Sequence, residues 1–370
     1  MKCEIIADNL KKALSFLERS TGKDSTLPIL GSFLFSCDKT SITITGTNLE
    51  IGMKTKIRGT VQEVGSIAIP SRTLLSYINT IQKDEKIVIE TSGVDIKITI
   101  GSVKTIIKGF SYEDFPPFPE VQHSYIFSIN NTSLLQMLTK TLISVSKSTI
   151  KPELASIYIT IEQNNAIFVS TDSFRLSEER VVITSSIKNK QESFLLPLRT
   201  GEELVRFLEY TEEQVEFFIG NGELLIKSGD SVLYSRLTEG KFPDYKSIIP
   251  QQFKINIIIS RDDFLEHIRR ASLFTNKLNG ILLTFIPDDN LCKIESSNRD
   301  VGEYKADMPV EITGDGLSVV FNYHYLLDGV LSLPDKKIFL GLNSESQPLL
   351  IRPPTNEQSI YIVMPMKGVV

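Results

Sequence analysis

Apolar residues recur along this 370-residue chain in two periods, and the switches between them outline its elements. Spacings of three and four predict a helix early in each third of the chain, in "CEIIADNLKKALSFLERS", "YIFSINNTSLLQMLTKTLISVSK" and "FKINIIISRDDFLEHIRRASLF". Each helix follows a short strand and a polar residue where an N-cap belongs: Asp8, then Asn131 or Thr132, then Ser260. The pairs Leu10/Leu14, Leu134/Leu138 and Phe264/Ile268 mark the buried stripes. A second helix recurs later in each third, in "SIAIPSRTLLSYINTIQ", "SFLLPLRTGEELVRFLEY" and "LSVVFNYHYLLDGVLSL". Its stripes are Leu74/Leu75/Ile78, Leu204/Val205/Leu208 and Leu326/Leu327/Val330.

Between the helices the pattern alternates or runs apolar, as in "KIVIETS", "VDIKITIG", "VEFFIGNGELLIKSG" and "KIFLGLN", which predicts strands. Turn-like "GTNLE", "STDSF" and "SSNRD" place Thr47, Thr171 and Ser297 at one point of a repeat of about 125 residues. Proline clusters in "EDFPPFPEV" and "GKFPDYKSIIP" close the first two copies. The expectation is an α+β protein of three repeated domains, 1–120, 121–250 and 251–370, each an antiparallel sheet carrying two helices. Duplicated domains can be plain scaffolds; the retention of both helices in every copy argues for a repeated surface.

Composition narrows the chemistry. Forty Lys+Arg against 45 Asp+Glu give a net charge of −5, which argues against ordinary nucleic-acid binding, where neutralising phosphates supplies most of the non-specific affinity. Cys3, Cys37 and Cys292 are odd in number and far apart, so they read as core thiols rather than a disulfide framework or zinc site. The three histidines, His123, His267 and His324, form no metal-like pair, and no phosphate-cradling glycine loop occurs. "SVSK" (Ser144 to Lys147) and "STIK" (Ser148 to Lys151) match a serine acyl-transferase tetrapeptide, but its companion elements are missing. No catalytic residue, metal or cofactor is expected. No stretch is apolar enough for a membrane span or a secretory leader, so a cytoplasmic protein is expected, with no membrane partner.

The ending "SIYIVMPMKGVV" is unusual, since chain ends are normally polar unless tied down. Either it is a buried final strand or it is an apolar edge kept for a partner.

The triplicated plan, together with "TLPILGSFLF", "STDSFRL", "KFPDYKSIIP" and terminal "YIVMPMK", resembles the bacterial sliding clamps, the β subunits of DNA polymerase III, over the whole chain. The resemblance implies a head-to-tail homodimeric ring around duplex DNA, bound without regard to sequence, acting as a non-enzymatic processivity factor. Such a topological link reconciles an acidic protein with DNA. The implied partners are the polymerase III catalytic subunit, the clamp loader, and other polymerases and repair proteins carrying short clamp-binding motifs. The alternative is a peptide-binding scaffold that never encloses DNA.

The resemblance also assigns residues. A peptide groove maps to Leu154, Thr171, Ser173, Phe174, Arg175, Leu176, Pro243, Ser247, Ile248, Asn322, Tyr325, Ile362, Met364, Pro365, Met366 and Lys367. Methionines give such a surface the adaptability that several partners require. A DNA-facing pore maps to Lys11, Lys12, Lys23, Arg72, Lys140, Lys147, Arg199, Arg206 and Arg269, although Glu202, Glu203, Asp262, Asp263 and Glu266 share those helices. The subunit interface maps to Leu273 and Phe274 against the strand containing Thr105 and Ile107. Departures from the family pattern are Ser173 and Phe174, where a smaller residue or a His/Gly pair is frequent, Ser247 in place of arginine, Asp24 beside Lys23, and the "GVV" extension.

Overall fold

The structure, a computed structural model, describes residues 1–22, 27–119, 124–185, 192–211 and 214–367. The chain forms two compact units, one of residues 1–135, 183–189 and 199–237 and the other of 136–182, 190–198 and 238–370.

Among the described residues six α-helices appear where the apolar spacing predicts them: α1 (Ala7–Leu17), α2 (Ser71–Asn79), α3 (Asn131–Leu142), α4 (Leu198–Tyr210), α5 (Arg261–Ser272) and α6 (Tyr323–Leu331). The stripe residues Leu10, Leu14, Leu74, Ile78, Phe264, Ile268, Leu326 and Val330 are fully buried. Burial of each such side chain stabilises the fold by about 1.5–3 kcal/mol before its entropy cost.

The helix starts differ from expectation in two copies. Asp8 lies inside the first turn of α1, after Ile6, and pairs with Lys12 instead of capping. In α3 the cap is Asn130, whose Oδ1 accepts from the amides of Thr132 and Ser133 at 3.0 and 3.4 Å. Asn131 instead donates from Nδ2 to the carbonyl of Leu208 at 3.0 Å and to that of Thr211, satisfying carbonyls that the end of α4 leaves without an internal partner. Ser260 stands at the N-cap of α5 but makes no side-chain cap bond.

In the first unit a five-stranded antiparallel sheet runs in the order Gly59–Glu63, Lys2–Ile6, Lys86–Ser92, Asp95–Ile100, Val103–Lys108. A nine-stranded sheet joins Ser231–Arg236 to Ile51–Ile57, with Tyr234 opposite Gly52. The second unit repeats this. Its nine-stranded sheet joins Arg175–Val182 to the final strand Ser359–Val363, with Leu176 opposite Ile362. Its four-stranded sheet runs Gly302–Pro309, Leu291–Asn298, Gly280–Ile286, Leu317–Asn322. The middle copy therefore contributes strands to both nine-stranded sheets, which is why the compact units cut through it.

The first two turns at the repeat point share one hydrogen-bond plan. Thr47 Oγ1 accepts from the Leu49 amide at 3.1 Å and donates to the Ile51 carbonyl at 3.1 Å, while Asn48 Oδ1 accepts from the amides of Glu50 and Ile51. Thr171 and Asp172 make the same four contacts to Ser173, Arg175 and Phe174. Leu49 and Ser173 both adopt the left-handed conformation, φ 74° and 78°. The repeat thus extends to side chains that set turn geometry.

All three cysteines are free and buried. Two of them meet: Cys3 and Cys37 share a hydrogen bond that, with burial, pushes the Cys3 thiol up. Ser144 is fully buried against Ser177 Oγ at 2.7 Å, which removes it as an exposed nucleophile.

Candidate peptide groove

The final strand buries Tyr361, Ile362 and Val363, and the chain then leaves the sheet with Met364, Pro365 and Met366 half exposed. The tail is therefore a buried strand followed by a half-exposed apolar segment. The Met364 amide donates to the carbonyl of Phe174 at 2.8 Å, and the Met366 amide to that of Val320 at 2.8 Å. Met366 thereby lies beside Gly280, where a Cβ would meet its sulfur only at 4.0 Å and the Val320 side chain at 3.2 Å.

Beneath the tail, Leu176 and Ile362 share a buried cluster with Ile167, Val169, Leu195, Phe242 and Tyr245. Leu154 is likewise buried, so Leu154, Leu176 and Ile362 form a floor rather than an open surface. Pro243, Ser247 and Ile248 are exposed, and Ser247 Oγ donates to the Asp244 carbonyl at 2.9 Å. Asn322 caps α6 by accepting from the His324 amide at 2.9 Å. Lys367 is exposed.

One wall is aromatic. Phe174 stacks on Tyr325 with ring centroids 6.4 Å apart and planes 19° apart. The Arg175 guanidinium lies 4.7 Å above the Tyr325 ring, donates from Nε to Asp172 Oδ2 at 3.0 Å, and bonds through Nη1 to Asp328. Burial opposes the charge on Arg175, but Tyr361, Asp328 and Asp172 outweigh it and hold the guanidinium protonated. The Tyr361 hydroxyl donates to the Tyr325 carbonyl at 3.0 Å, and burial pushes both phenols up. A methyl group on Gly329 of α6 would come within 2.3 Å of the Tyr361 ring, so glycine is needed there for the helix to approach. Asp172, Asp328, Tyr361 and Val320 escaped the sequence reading. Asp328 sits three residues beyond Tyr325 on one helix face, which was the available signal.

The basic residues assigned to the pore divide. Arg72, Lys147 and Arg269 are exposed and have no ion pair among the described residues. Lys12 pairs with Asp8 at 2.8 Å, Arg199 with Glu50 at 3.7 Å, and Arg206 with the buried Glu203 at 3.4 Å. Lys11 is half buried, its ammonium donating to the carbonyls of Ile81 and Asn79. Lys140 turns inward: its Nζ sits 3.3 Å from Glu179 Oε2 and 3.1 Å from Ser359 Oγ, so it neutralises a buried carboxylate instead of facing a ligand. Burial raises the Glu179 carboxyl, and Lys140 partly offsets this. Lys23 lies outside the described residues.

The residues assigned to the interface also differ in exposure. Leu273 is exposed, and Phe274 stacks on Tyr304 at 6.4 Å. On the edge strand Val103–Lys108, Ile107 is buried in the protomer's own core and Thr105 Oγ1 donates to the Tyr77 hydroxyl at 2.7 Å. Strand alternation turns Ile106 outward, and it is 66% exposed. On this strand Ile106, not Ile107, is therefore the exposed isoleucine.

Family models for the DNA polymerase III beta subunit match all three copies: the N-terminal domain at residues 1–119, the central domain at 128–244 and the C-terminal domain at 246–367. This chain belongs to the DNA polymerase III beta subunit family. Relatives named beta sliding clamp include that of Synechococcus elongatus, 25% identical over 372 positions covering 99% of each chain, and that of Bacillus subtilis, 25% identical over 384 positions covering 99% of this chain and all of the relative. A DNA polymerase sliding clamp from Pseudomonas aeruginosa superposes with a TM-score of 0.94 over the full length of both chains at 24% identity, which speaks to the fold. Another solved clamp from that organism, bound to griselimycin, has a TM-score of 0.93. Three clamp domains of antiparallel sheet and helices are the architecture of this family. Among the described residues no group of three or more His, Cys, Asp or Glu side chains could hold a metal, and no helix is long and apolar enough to cross a membrane.

Proposed function

We propose that this chain is the processivity clamp of a replicative DNA polymerase, working as a head-to-tail dimer that closes around duplex DNA and holds partners through the groove beside Met364 and Met366. Membership of the beta subunit family carries the processivity role. The observation that carries the tethering surface is the half-exposed tail, hydrogen-bonded to Phe174 and Val320 above a buried floor. Two methionines and an aromatic wall offer apolar contact, while backbone pairing fixes the site's shape. Polymerases, the clamp loader and repair proteins are the partners such a groove serves.

Closure of the dimer would use the exposed Leu273 and Ile106, apolar side chains that are otherwise a liability, together with the half-buried Phe274. A ring of two identical head-to-tail contacts buries each of them twice. DNA held by enclosure requires few phosphate contacts, in keeping with the net charge of −5 and with the exposed Arg72, Lys147 and Arg269, which have no ion pair among the described residues. Its place of work would be the cytoplasm, at the nucleoid, and its role that of a non-catalytic accessory subunit.

The scaffold alternative draws on one observation, the internal engagement of Lys11, Lys12, Lys140 and Arg206, which thins the basic surface expected of a pore. Imaging of single particles separates the two: a ring with a central hole supports the clamp, and compact particles without one support the scaffold.

A further inference from the structure

Cys3 and Cys37 come from different sheets, and the strand register explains why they meet. Gly59–Glu63 belongs to the five-stranded sheet of the first unit and Gly65–Pro70 to the nine-stranded one, with only Val64 between them. On one side of this corner Lys2 pairs with Glu63 and Cys3 with Val61; on the other, Cys37 pairs with Gly65. The two sheets therefore converge where both cysteines lie. Gly65 permits the approach, since its φ is 146° and a Cβ there would stand 3.2 Å from that of Met1. Alternation turns Cys3 and Ile5 inward from one strand, and Phe35 and Cys37 inward from the other. The two sulfurs thus face each other in the core, joined by a hydrogen bond.

We propose that Cys3 and Cys37 are a modification site, oxidised by peroxide to a reversible disulfide that staples the two sheets of the first copy at their shared corner. The site stands apart from the groove and from enclosure of DNA. The Cys3 thiol donates to the Cys37 sulfur, which holds Cys37 below the ordinary thiol value against its burial. Cys37 also ends its strand beside the exposed Asp38, so a small oxidant reaches it first. The Cys37 thiolate attacks one peroxide oxygen and expels hydroxide, leaving a sulfenic acid. The Cys3 sulfur then displaces hydroxide from that sulfenic acid. The two thiol protons turn both hydroxides into water, and the two electrons lost by the sulfurs reduce the peroxide. A dithiol reductant reverses the bond. Cys292 supplies the contrast: it lies in the core cluster of the third copy, where burial pushes its thiol up to about 12.

The test treats the intact, folded chain with hydrogen peroxide, removes the peroxide, and alkylates the remaining thiols in denaturant for mass mapping. The expected product carries one alkylated cysteine, Cys292, and a linked Cys3–Cys37 fragment that has lost two hydrogens. It should melt about 5 °C above the reduced chain, and dithiothreitol should reverse both changes. In Cys3→Ala, peroxide should leave a sulfenic acid at Cys37 that dimedone traps; in Cys37→Ala, no cysteine should react. Three alkylated cysteines after peroxide, a bond to Cys292, or a bond between two chains overturns the proposal. A linked chain that melts no higher overturns the staple, and dimedone on Cys3 in Cys37→Ala overturns the order of attack.

Discussion

The backbone amide of Met364 donates to the carbonyl of Phe174 across 2.8 Å, carrying strand pairing past the last core residue, Val363. The groove's apolar edge is therefore fixed to its aromatic wall through the main chain, while the methionine side chains stay free to adapt. Replacing Met364 and Met366 together by Ala should weaken binding of an apolar peptide by about ten-fold or more, since each loses roughly 1 kcal/mol of contact. Thermal melting should barely change, because Tyr361, Ile362 and Val363 still fill the core. Undiminished affinity in calorimetry would remove the tail from the groove.

Lys140 and Glu179 make a stability prediction with a definite pH sign. Glu179 is nearly fully buried, so Lys140→Met leaves a buried carboxylate unpaired and should cost about 3 kcal/mol at neutral pH. Burial raises the carboxyl above its ordinary value of 4.5, so its favourable contribution is present below pH 4.5 and is lost as pH rises through the raised folded value. Without Lys140 only the Ser359 hydroxyl opposes the raising. The melting-temperature deficit of Lys140→Met should accordingly be larger at pH 8 than at pH 5, and Glu179→Gln should recover much of it. A pH-independent deficit would show that the pair is not what the residue supports.

The outward turn of Ile106 gives a prediction in which neighbouring residues behave oppositely. Ile106→Asp should shift sedimentation from dimer to monomer with little loss of protomer stability. Ile107→Ala should instead lower the melting temperature, by about 2–5 kcal/mol of unfolding free energy, because it opens a cavity in the core. A dimer that persists at low concentration in Ile106→Asp would place the interface elsewhere.

These cases show how far the sequence could be read. The six helices and the repeat were legible because Leu10/Leu14 and its counterparts hold one face against a sheet, and a helical period states that directly. The pairing of Ile51–Ile57 with Ser231–Arg236 was not, because long-range strand partners leave no local mark. "VKTIIK" has isoleucine on both faces, so alternation could not decide whether Ile106 or Ile107 looks outward. Lys140 read as part of a polar helix face, since only the fold brings it to Glu179. The signal lay in "RLSEERVV", where two adjacent glutamates, one to each face, stand within the buried stretch Leu176–Glu179. The groove's membership came from the family pattern, whereas its bracing by Asp172 and Asp328 depends on a helix and a turn that the sequence leaves far apart.

Enclosure of DNA is the central claim, and retention on circular DNA tests it most directly. A protein of charge −5 held mainly by phosphate contacts should bind weakly and lose affinity steeply with salt. An enclosing ring leaves only by opening or by sliding off an end. Clamps loaded by the cognate ATP-driven loader onto nicked circular DNA should therefore remain bound through gel filtration in moderate salt, and one linearising cut should release them. Equal retention on circular and cut DNA, or loss from both in salt, would contradict enclosure.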